Sequence, residues 1–110
     1  MSCVKTVEIA KLNDLLRTTF TGGRVMATRG LLGLPADEKD KIFAAVRSFN
    51  QFGPDNDPHG EHDFGAFDHA GNRIYWKIDY YDRALTHGSE DPSDPKQTTR
   101  VLTIMLAEEY

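Results

Sequence analysis

Residues 57–82, DPHGEHDFGAFDHAGNRIYWKIDYYD, decide the fold because they read as two strands joined by a tight turn. Phe64 to Asp68 and Arg73 to Tyr81 are rich in the aromatic and β-branched residues that strands favour. Between them, Gly71-Asn72 is a signal for a two-residue hairpin connection. If those two residues form the loop, the expected pairs are Ala70 with Arg73, Phe67 with Trp76, and Gly65 with Ile78.

The side chains of this hairpin divide between two faces, because successive residues of a strand point to opposite sides of a sheet. The face expected to pack on helices carries Phe67, Ile74, Trp76, Ile78 and Tyr80. The opposite face carries most of the polar residues and comprises His62, Phe64, Asp68, Tyr75, Lys77, Asp79 and Tyr81. A three-residue loop would change this partition.

Two amphipathic helices are predicted before the hairpin. The first runs from about Val7 to Thr19, with Thr6 as its N-cap. Its apolar stripe, at three- and four-residue spacing, is Ile9, Leu12, Leu16 and Phe20. Three residues fall off this stripe and are expected to lie in solvent, namely Lys11, Asp14 and Arg17.

The second helix has the clearest start signal, because Pro35 suits a first helical position. Its expected buried face is Ile42, Phe43, Val46 and Phe49. A short strand, Arg24–Thr28, precedes it, and Gly30 and Gly33 are expected to interrupt regular structure between them.

The remaining elements complete a single α+β domain over residues 1–110. Arg83–Gln97 is expected to be a long surface loop, since it is polar and contains two prolines. Thr99–Ala107 is apolar on both faces and is predicted to be a central strand, although Val101, Leu102, Met105 and Leu106 also fit a helical face. The predicted fold is an antiparallel sheet of about four strands with two helices packed on one face, in the order α-β-α-β-β-β.

The charge is unevenly distributed along the chain. The net charge is −4, but residues 1–51 carry +3, residues 52–96 carry −6 and residues 97–110 carry −1. An acidic field repels nucleic acid and attracts basic protein surfaces, so direct nucleic-acid binding is not expected. No apolar run approaches the ~20 residues of a membrane span, the N-terminus has no signal core, and Cys3 is the sole thiol. These features predict a cytoplasmic protein without a cofactor.

A metal site is one candidate for the chemistry of this hairpin. His59 and His62 are three residues apart, and Asp79 lies across the hairpin. Imidazoles with a carboxylate suit zinc or non-haem iron, which gives the alternative of a metal-dependent hydrolase. The competing interpretation is that these residues cap backbone groups where the chain turns into the strand.

General acid–base catalysis is a second candidate. With Gly71-Asn72 as the loop, His62 would lie opposite Tyr81 and diagonal to Asp79, with Lys77 nearby. The competing interpretation is an ordinary solvent-facing sheet surface with paired charges.

An interaction surface is the third candidate, and it is the one that we adopt. Tyr75 and Tyr81 are expected to point away from the helices, and tyrosine is enriched at binding hot spots. Acidic neighbours would steer a basic partner. The predicted contact residues are Glu61, Asp63, Tyr75, Asp79, Tyr81 and Asp82.

Four stretches, taken in order, resemble a known family. They are Asn13-Asp14 with FTGGRV at 20–25, DNDPHGEHDFGAF at 55–67, WKIDYYD at 76–82 and TTRVLTIMLAEEY at 98–110. This pattern is similar to that of a family of small alphaproteobacterial proteins of unknown function, often encoded on plasmids and other mobile DNA. The resemblance implies no catalytic residue. It does imply that the gene lies on mobile DNA, which often also encodes small proteins that inhibit host defences.

The sequence and the resemblance together predict a small acidic, non-enzymatic binding protein. Its expected partner is the basic surface of a nucleic-acid-handling host complex, as for an anti-CRISPR inhibitor that occupies a basic groove. The alternatives are the hydrolase described above and a structural or regulatory homodimer formed through an exposed sheet edge.

Overall fold

The computed structural model describes residues 4–110, and this range forms a mixed sheet with helices. The elements are α1 (Val4–Thr19), β1 (Arg24–Ala27), α2 (Arg29–Leu32), α3 (Ala36–Ser48), β2 (Phe64–His69), β3 (Asn72–Tyr81), β4 (Thr99–Leu106) and a final 3-10 turn (Ala107–Glu109). The predicted α+β class is confirmed. No helix within residues 4–110 is long and apolar enough to cross a lipid bilayer.

The sheet has the order β1-β4-β3-β2, so β4 is a central strand as predicted. β4 pairs antiparallel with β3 and parallel with β1, with Arg24 opposite Val101 and Ala27 opposite Ile104. The prediction of a purely antiparallel sheet is therefore wrong for β1. The direction of β1 relative to β4 is not set by a tight turn, because residues 28–98 connect the two strands.

The hairpin of β2 and β3 forms with a loop one residue earlier than predicted. His69 pairs with Asn72, which leaves Ala70-Gly71 as the two-residue loop. Both loop residues have positive φ, 50° at Ala70 and 84° at Gly71, as a type I′ turn requires. The pairing shifts by two positions relative to the prediction, so Phe67 faces Ile74 and Gly65 faces Trp76. A shift of two keeps every strand side chain on its predicted face.

The core lies between one face of the sheet and α1 and α3. Its fully buried centre includes Leu16, Ile42, Val46, Ile74, Trp76, Leu102 and Ile104. Phe49 and Phe52 meet the Trp76 ring edge-on, with ring centroids 5.5 Å and 6.1 Å away. The helices therefore cover one face only and leave the other face of the sheet without a helical layer.

The helices differ from the predictions in three details. Thr6 lies inside α1 and is not its N-cap, because the described helix already includes Val4. Gly30 does not break regular structure, since it belongs to the short helix α2. Pro35 precedes α3, which begins at Ala36.

Arg17, expected to lie in solvent, is only 3% exposed. Its Nη1 donates to the carbonyl oxygens of Val46 and Arg47 at 3.1 Å and 3.3 Å, at the C-terminal end of α3. The guanidinium also lies 5.4 Å from the ring centroids of both Phe52 and Trp76. A cation at this position satisfies the last helical carbonyls and complements the helix dipole, and this explains its burial.

Candidate functional site

The side of the sheet away from α1 and α3, which we call the open face, contains a concavity of about 650 Å³. Its floor is the central strand β4, through Val101, Thr103 and Met105. Val101 and Met105 are 7% and 2% exposed, because neighbouring side chains stand around them. Leu85 and Tyr110 also line the concavity. The open face thus presents an apolar floor beneath a raised rim.

The charges in the concavity are unevenly paired. The Nζ of Lys77 donates to Oδ2 of Asp79 at 2.6 Å, and this hydrogen bond raises the pKa of Lys77. Arg24, by contrast, lines the same concavity and has no ion pair with any residue in the described range. The open face therefore combines one internal ion pair with one cation that has no counter-ion.

Three aromatic rings cluster beside the concavity. The Tyr75 ring meets those of Phe64 and Tyr110 edge-on, at centroid distances of 5.3 Å and 5.7 Å. Tyr110 nonetheless remains 76% exposed. Exposed, packed aromatic rings are the residue type that dominates binding hot spots.

Glu109 anchors the final turn against β1 and α2. Its Oε1 accepts from the Thr28 hydroxyl at 2.5 Å and its Oε2 from the Gly30 N–H at 2.8 Å. The Thr28 hydrogen bond, followed by that of Gly30, lowers the pKa of Glu109. A Cβ on residue 30 would lie 2.7 Å from the carboxylate, so a larger residue there would displace the Glu109 side chain from this position.

The six predicted contact residues do not all lie on one surface of the structure. Tyr75, Asp79 and Tyr81 share the open face, as predicted. Glu61 does not, because its carboxylate accepts from the Tyr80 hydroxyl at 2.7 Å on the helix side of the sheet. Asp63 is half-buried, and its burial, followed by repulsion from Glu61, raises its pKa.

Asp82 lies at the end of β3 and holds the turn that follows it. Its carboxylate accepts from the N–H of Thr86 at 3.0 Å and from the Thr86 hydroxyl at 3.2 Å. The backbone hydrogen bond from Thr86 is the main reason that the pKa of Asp82 is lowered. Of the six residues predicted to form one contact surface, three therefore lie together on the open face.

Acidification should open this turn. The carboxylate of Asp82 has a lowered pKa in the folded protein. Its contribution to the stability of the folded state is therefore complete above the ordinary pKa of about 3.9 and is lost as the pH falls through the lower pKa of the folded protein. We expect the amide resonance of Thr86 to titrate with an apparent pKa below about 3.9, measured by ¹H–¹⁵N NMR. An apparent pKa at or above that value would contradict the assigned contact.

A buried polar network links α1 to the sheet beneath the helix layer; we call Asn13, Glu61, Tyr80 and Arg100 the Asn13 network. Asn13 is fully buried, and its Nδ2 donates to the Tyr80 hydroxyl oxygen at 2.8 Å and to the Glu61 carbonyl oxygen at 3.0 Å. Its Oδ1 accepts from Nε of Arg100 at 2.9 Å. Arg100 also donates to the carbonyl oxygen of Pro92, and so ties the Arg83–Gln97 loop to β4.

Burial dominates the electrostatics of this network. It raises the pKa of Tyr80, with a further contribution from the hydrogen bond that Tyr80 donates to Glu61. It lowers the pKa of Arg100, which is 2% exposed. The network therefore holds a protonated tyrosine and a desolvated cation, with Asn13 as the shared partner.

His62 lies on the helix side of the sheet, against the prediction that it faces Tyr81 and Asp79. Its ring stacks on Phe52 at a centroid distance of 4.0 Å, and Nδ1 lies 2.9 Å and 3.0 Å from the two carboxylate oxygens of Asp14. A positive φ of 57° turns the backbone here before β2 begins. The predicted acid–base group of His62, Asp79 and Tyr81 is therefore not assembled.

The proposed metal ligands are also kept apart. His59 is exposed on the loop, His62 is paired with Asp14, and Asp79 lies on the open face with Lys77. Within the described range, no three His, Cys, Asp or Glu side chains are grouped closely enough to hold a metal ion. The geometry gives no support to the hydrolase alternative.

Asn13, Arg17 and Arg100 are the residues that sequence reasoning missed. A signal for Asn13 is present, because it stands four residues after Ile9 and three before Leu16, on the same helical face. Arg100 likewise alternates with Leu102 and Ile104 in β4 and must point to the core side. A polar residue in a buried register is the pattern to look for.

A family model described as "Protein of unknown function (DUF3768)" matches residues 27–109. The matched segment begins at Ala27, so α1, which contributes Asn13 and Arg17, precedes it. No curated protein and no solved structure matches the chain. The family match confirms the predicted membership of a family without an assigned function.

Proposed function

Because the chain belongs to this family of proteins of unknown function, we propose its role from its own geometry: a non-enzymatic binding protein whose open face docks a basic surface of another protein. The observation that carries this proposal is the concavity of about 650 Å³ on the side of the sheet that no helix covers. Its apolar floor can accept a side chain of a partner, and its polar rim can orient that side chain.

The residue types around the concavity support a protein partner. Tyrosine and methionine are enriched in the cores of protein interfaces. Met26 and Tyr110 are 57% and 76% exposed although both line the concavity, and Tyr81 lines it as well. Covering these side chains would remove apolar surface from water, and that burial is the main favourable term in association.

The charge of the surface supports a basic partner. Among the residues that the structure describes, two of the Lys and Arg side chains are buried, Arg17 and Arg100, whereas one carboxylate is buried, that of Asp57. The accessible surface is therefore more acidic than the net charge of −4 suggests. Such a field speeds encounter with a basic surface and opposes direct contact with nucleic acid.

A finer proposal names the partner as a cytoplasmic nucleic-acid-handling host complex, inhibited in the manner of an anti-CRISPR protein encoded on a mobile element. The loop after β3 supports it, because hydrogen bonds hold the carboxylates of Asp82, Asp91 and Asp94 in place and lower their pKa values. Fixed anionic groups can imitate phosphates in a groove lined by Lys and Arg.

The first experiment uses a peptide as the probe. A short peptide with one tryptophan flanked by lysines is titrated into the labelled protein and followed by ¹H–¹⁵N NMR. We expect shift changes at Lys77, Asp79, Tyr81, Val101 and Thr103, and weaker binding at higher salt. Replacing the lysines of the peptide with glutamine, or its tryptophan with glycine, should each weaken binding. Shift changes confined to α1 and α3, or none, would refute the proposal.

Matched variants test the same site. Tyr81→Ala should weaken peptide binding about tenfold, as expected for a hot-spot residue, and Asp79→Asn about threefold through the lost charge. Asp40→Asn is the control, since Asp40 is exposed on α3, on the other side of the molecule. Asp82 is left unchanged in this test, because it holds the Thr86 turn. Equal affinity for Tyr81→Ala, Asp79→Asn and Asp40→Asn would exclude the open face.

A further inference from the structure

We propose that two copies of this chain associate through the free edge of β1 and extend the sheet into an eight-stranded one, twice the four strands of each copy. Within residues 4–110, β1 is an edge strand with β4 on one side and no strand on the other. This inference concerns the edge of β1 and a second copy of this chain, and it shares Arg24 and Met26 with the rim of the concavity. Its test is the mass in solution, which does not depend on the peptide-binding test of the proposed function.

The free edge of β1 carries unpaired backbone groups. The N–H of Thr28 donates to the carbonyl oxygen of Ile104, so Met26, two residues earlier, also directs its backbone groups toward β4. Val25 and Ala27 then direct theirs outward, and Val25 is 37% exposed. Edge strands are commonly protected by lysine, proline or a bulge, and the sequence of β1, RVMA, has neither lysine nor proline.

A second copy fits this edge in one antiparallel register. With the two-fold axis at Met26, Val25 of one copy pairs with Ala27 of the other through backbone hydrogen bonds. Met26 then faces Met26 of the second copy. This contact covers the Met26 side chain, which is 57% exposed and is the most exposed apolar side chain of β1. Arg24 of one copy stands opposite Thr28 of the other.

Charge complementarity favours this register. Glu109 holds its carboxylate on the hydroxyl of Thr28, and Arg24 lacks an ion pair within the described range. In the dimer, the guanidinium of each Arg24 therefore approaches the Glu109 carboxylate of the other copy, and the two-fold axis makes this pair twice. Arg24, Met26, Thr28 and Glu109 all line the open face, so the four groups lie on one side of the extended sheet.

The test of association is the mass in solution. Sedimentation equilibrium over a range of concentrations should show a mass that rises from 12.4 kDa toward twice that value. A four-residue edge is short, so a weak, concentration-dependent dimer is expected. Met26→Lys places two like charges at the axis, and Arg24→Glu opposes Glu109; each should weaken dimerisation about tenfold or more.

Arg73→Glu is the matched control, because it makes the same charge change at the start of β3, beside the opposite edge strand β2. It should leave dimerisation unchanged within about twofold. A mass of 12.4 kDa at every concentration would overturn the proposal, as would equal weakening by Arg73→Glu and Arg24→Glu.

Cysteine cross-linking tests the register. In a Cys3→Ser background, Met26→Cys places two thiols across a non-hydrogen-bonded pair, where Cα atoms are about 4.5 Å apart and a disulfide can form. Val25→Cys is the control, because residue 25 of one copy is diagonal to residue 25 of the other. Their Cα atoms would be about 7–8 Å apart, which is too far for a disulfide. Faster oxidation to a covalent dimer at residue 26 supports the register, and equal or slower oxidation there overturns it.

Discussion

Gly65→Ala is expected to destabilise the protein by about 3 kcal/mol or more, which is large for the addition of one methyl group. A Cβ at this position would lie 2.6 Å from Cε2 and even closer to Nε1 of Trp76, and 2.8 Å from Cζ of Phe49. Trp76 is fully buried, with Phe49 and Phe52 edge-on against it. The ring cannot move aside without displacing its neighbours, because close-packed interiors transmit such strain.

Urea unfolding measures this effect, and two variants sharpen it. Gly53→Ala is the control, since a Cβ there would meet one atom within 4 Å, Oδ1 of Asn56 at 3.9 Å, and it should change stability by less than about 1 kcal/mol. Trp76→Phe removes part of the clashing ring, so Gly65→Ala should cost less in that background than in the native protein. If Gly65→Ala and Gly53→Ala lower the free energy of unfolding by similar amounts in the otherwise native protein, the sheet accommodates the methyl group and the prediction is wrong.

Asn13→Leu is expected to cost about 3–5 kcal/mol, because it leaves Nε of the buried Arg100 guanidinium without its acceptor. The same substitution removes the donor to Tyr80 and to the Glu61 carbonyl. Arg100→Met should cost less than Asn13→Leu, although it frees the carbonyl of Pro92, since it removes the desolvated charge together with its hydrogen bonds. The double variant should then be more stable than Asn13→Leu alone.

A double-mutant cycle measured by urea unfolding checks this order. Asn72→Leu serves as a control for the loss of an asparagine, because Asn72 lies at the start of β3, outside the network. If the costs of Asn13→Leu and Arg100→Met simply add, the two residues do not depend on each other and the network is not a unit.

Most of the fold could be predicted from the sequence, because the patterns that determine its helices and its hairpin are local. The hairpin loop was displaced by one residue, yet the faces of Tyr75, Trp76 and Asp79 were predicted correctly, since a pairing shift of two preserves alternation. The parallel direction of β1 was not readable. It depends on how residues 28–98 cross the sheet, and no local pattern encodes that path.

The site was only partly readable, for a related reason. Alternation holds within a strand, so it placed Tyr75 and Tyr81 correctly but failed for His62, which lies before β2 on irregular backbone. The helical periodicity of the apolar residues predicts a solvent-facing Arg17, because it carries no information about polar groups that pair inside the protein. Its burial depends on the carbonyl groups at the end of α3, which are neighbours in space and distant in sequence.

The central position of β4 has a consequence for how the chain is made. A ribosome delivers residues 99–106 after every other strand, so β1 and β3 must wait for the strand that lies between them. The hairpin can close as soon as it emerges, whereas β1 has no neighbouring strand until β4 has emerged. During that interval both edges of β1 are open to chaperones, and any variant that delays the docking of β4 prolongs this exposure.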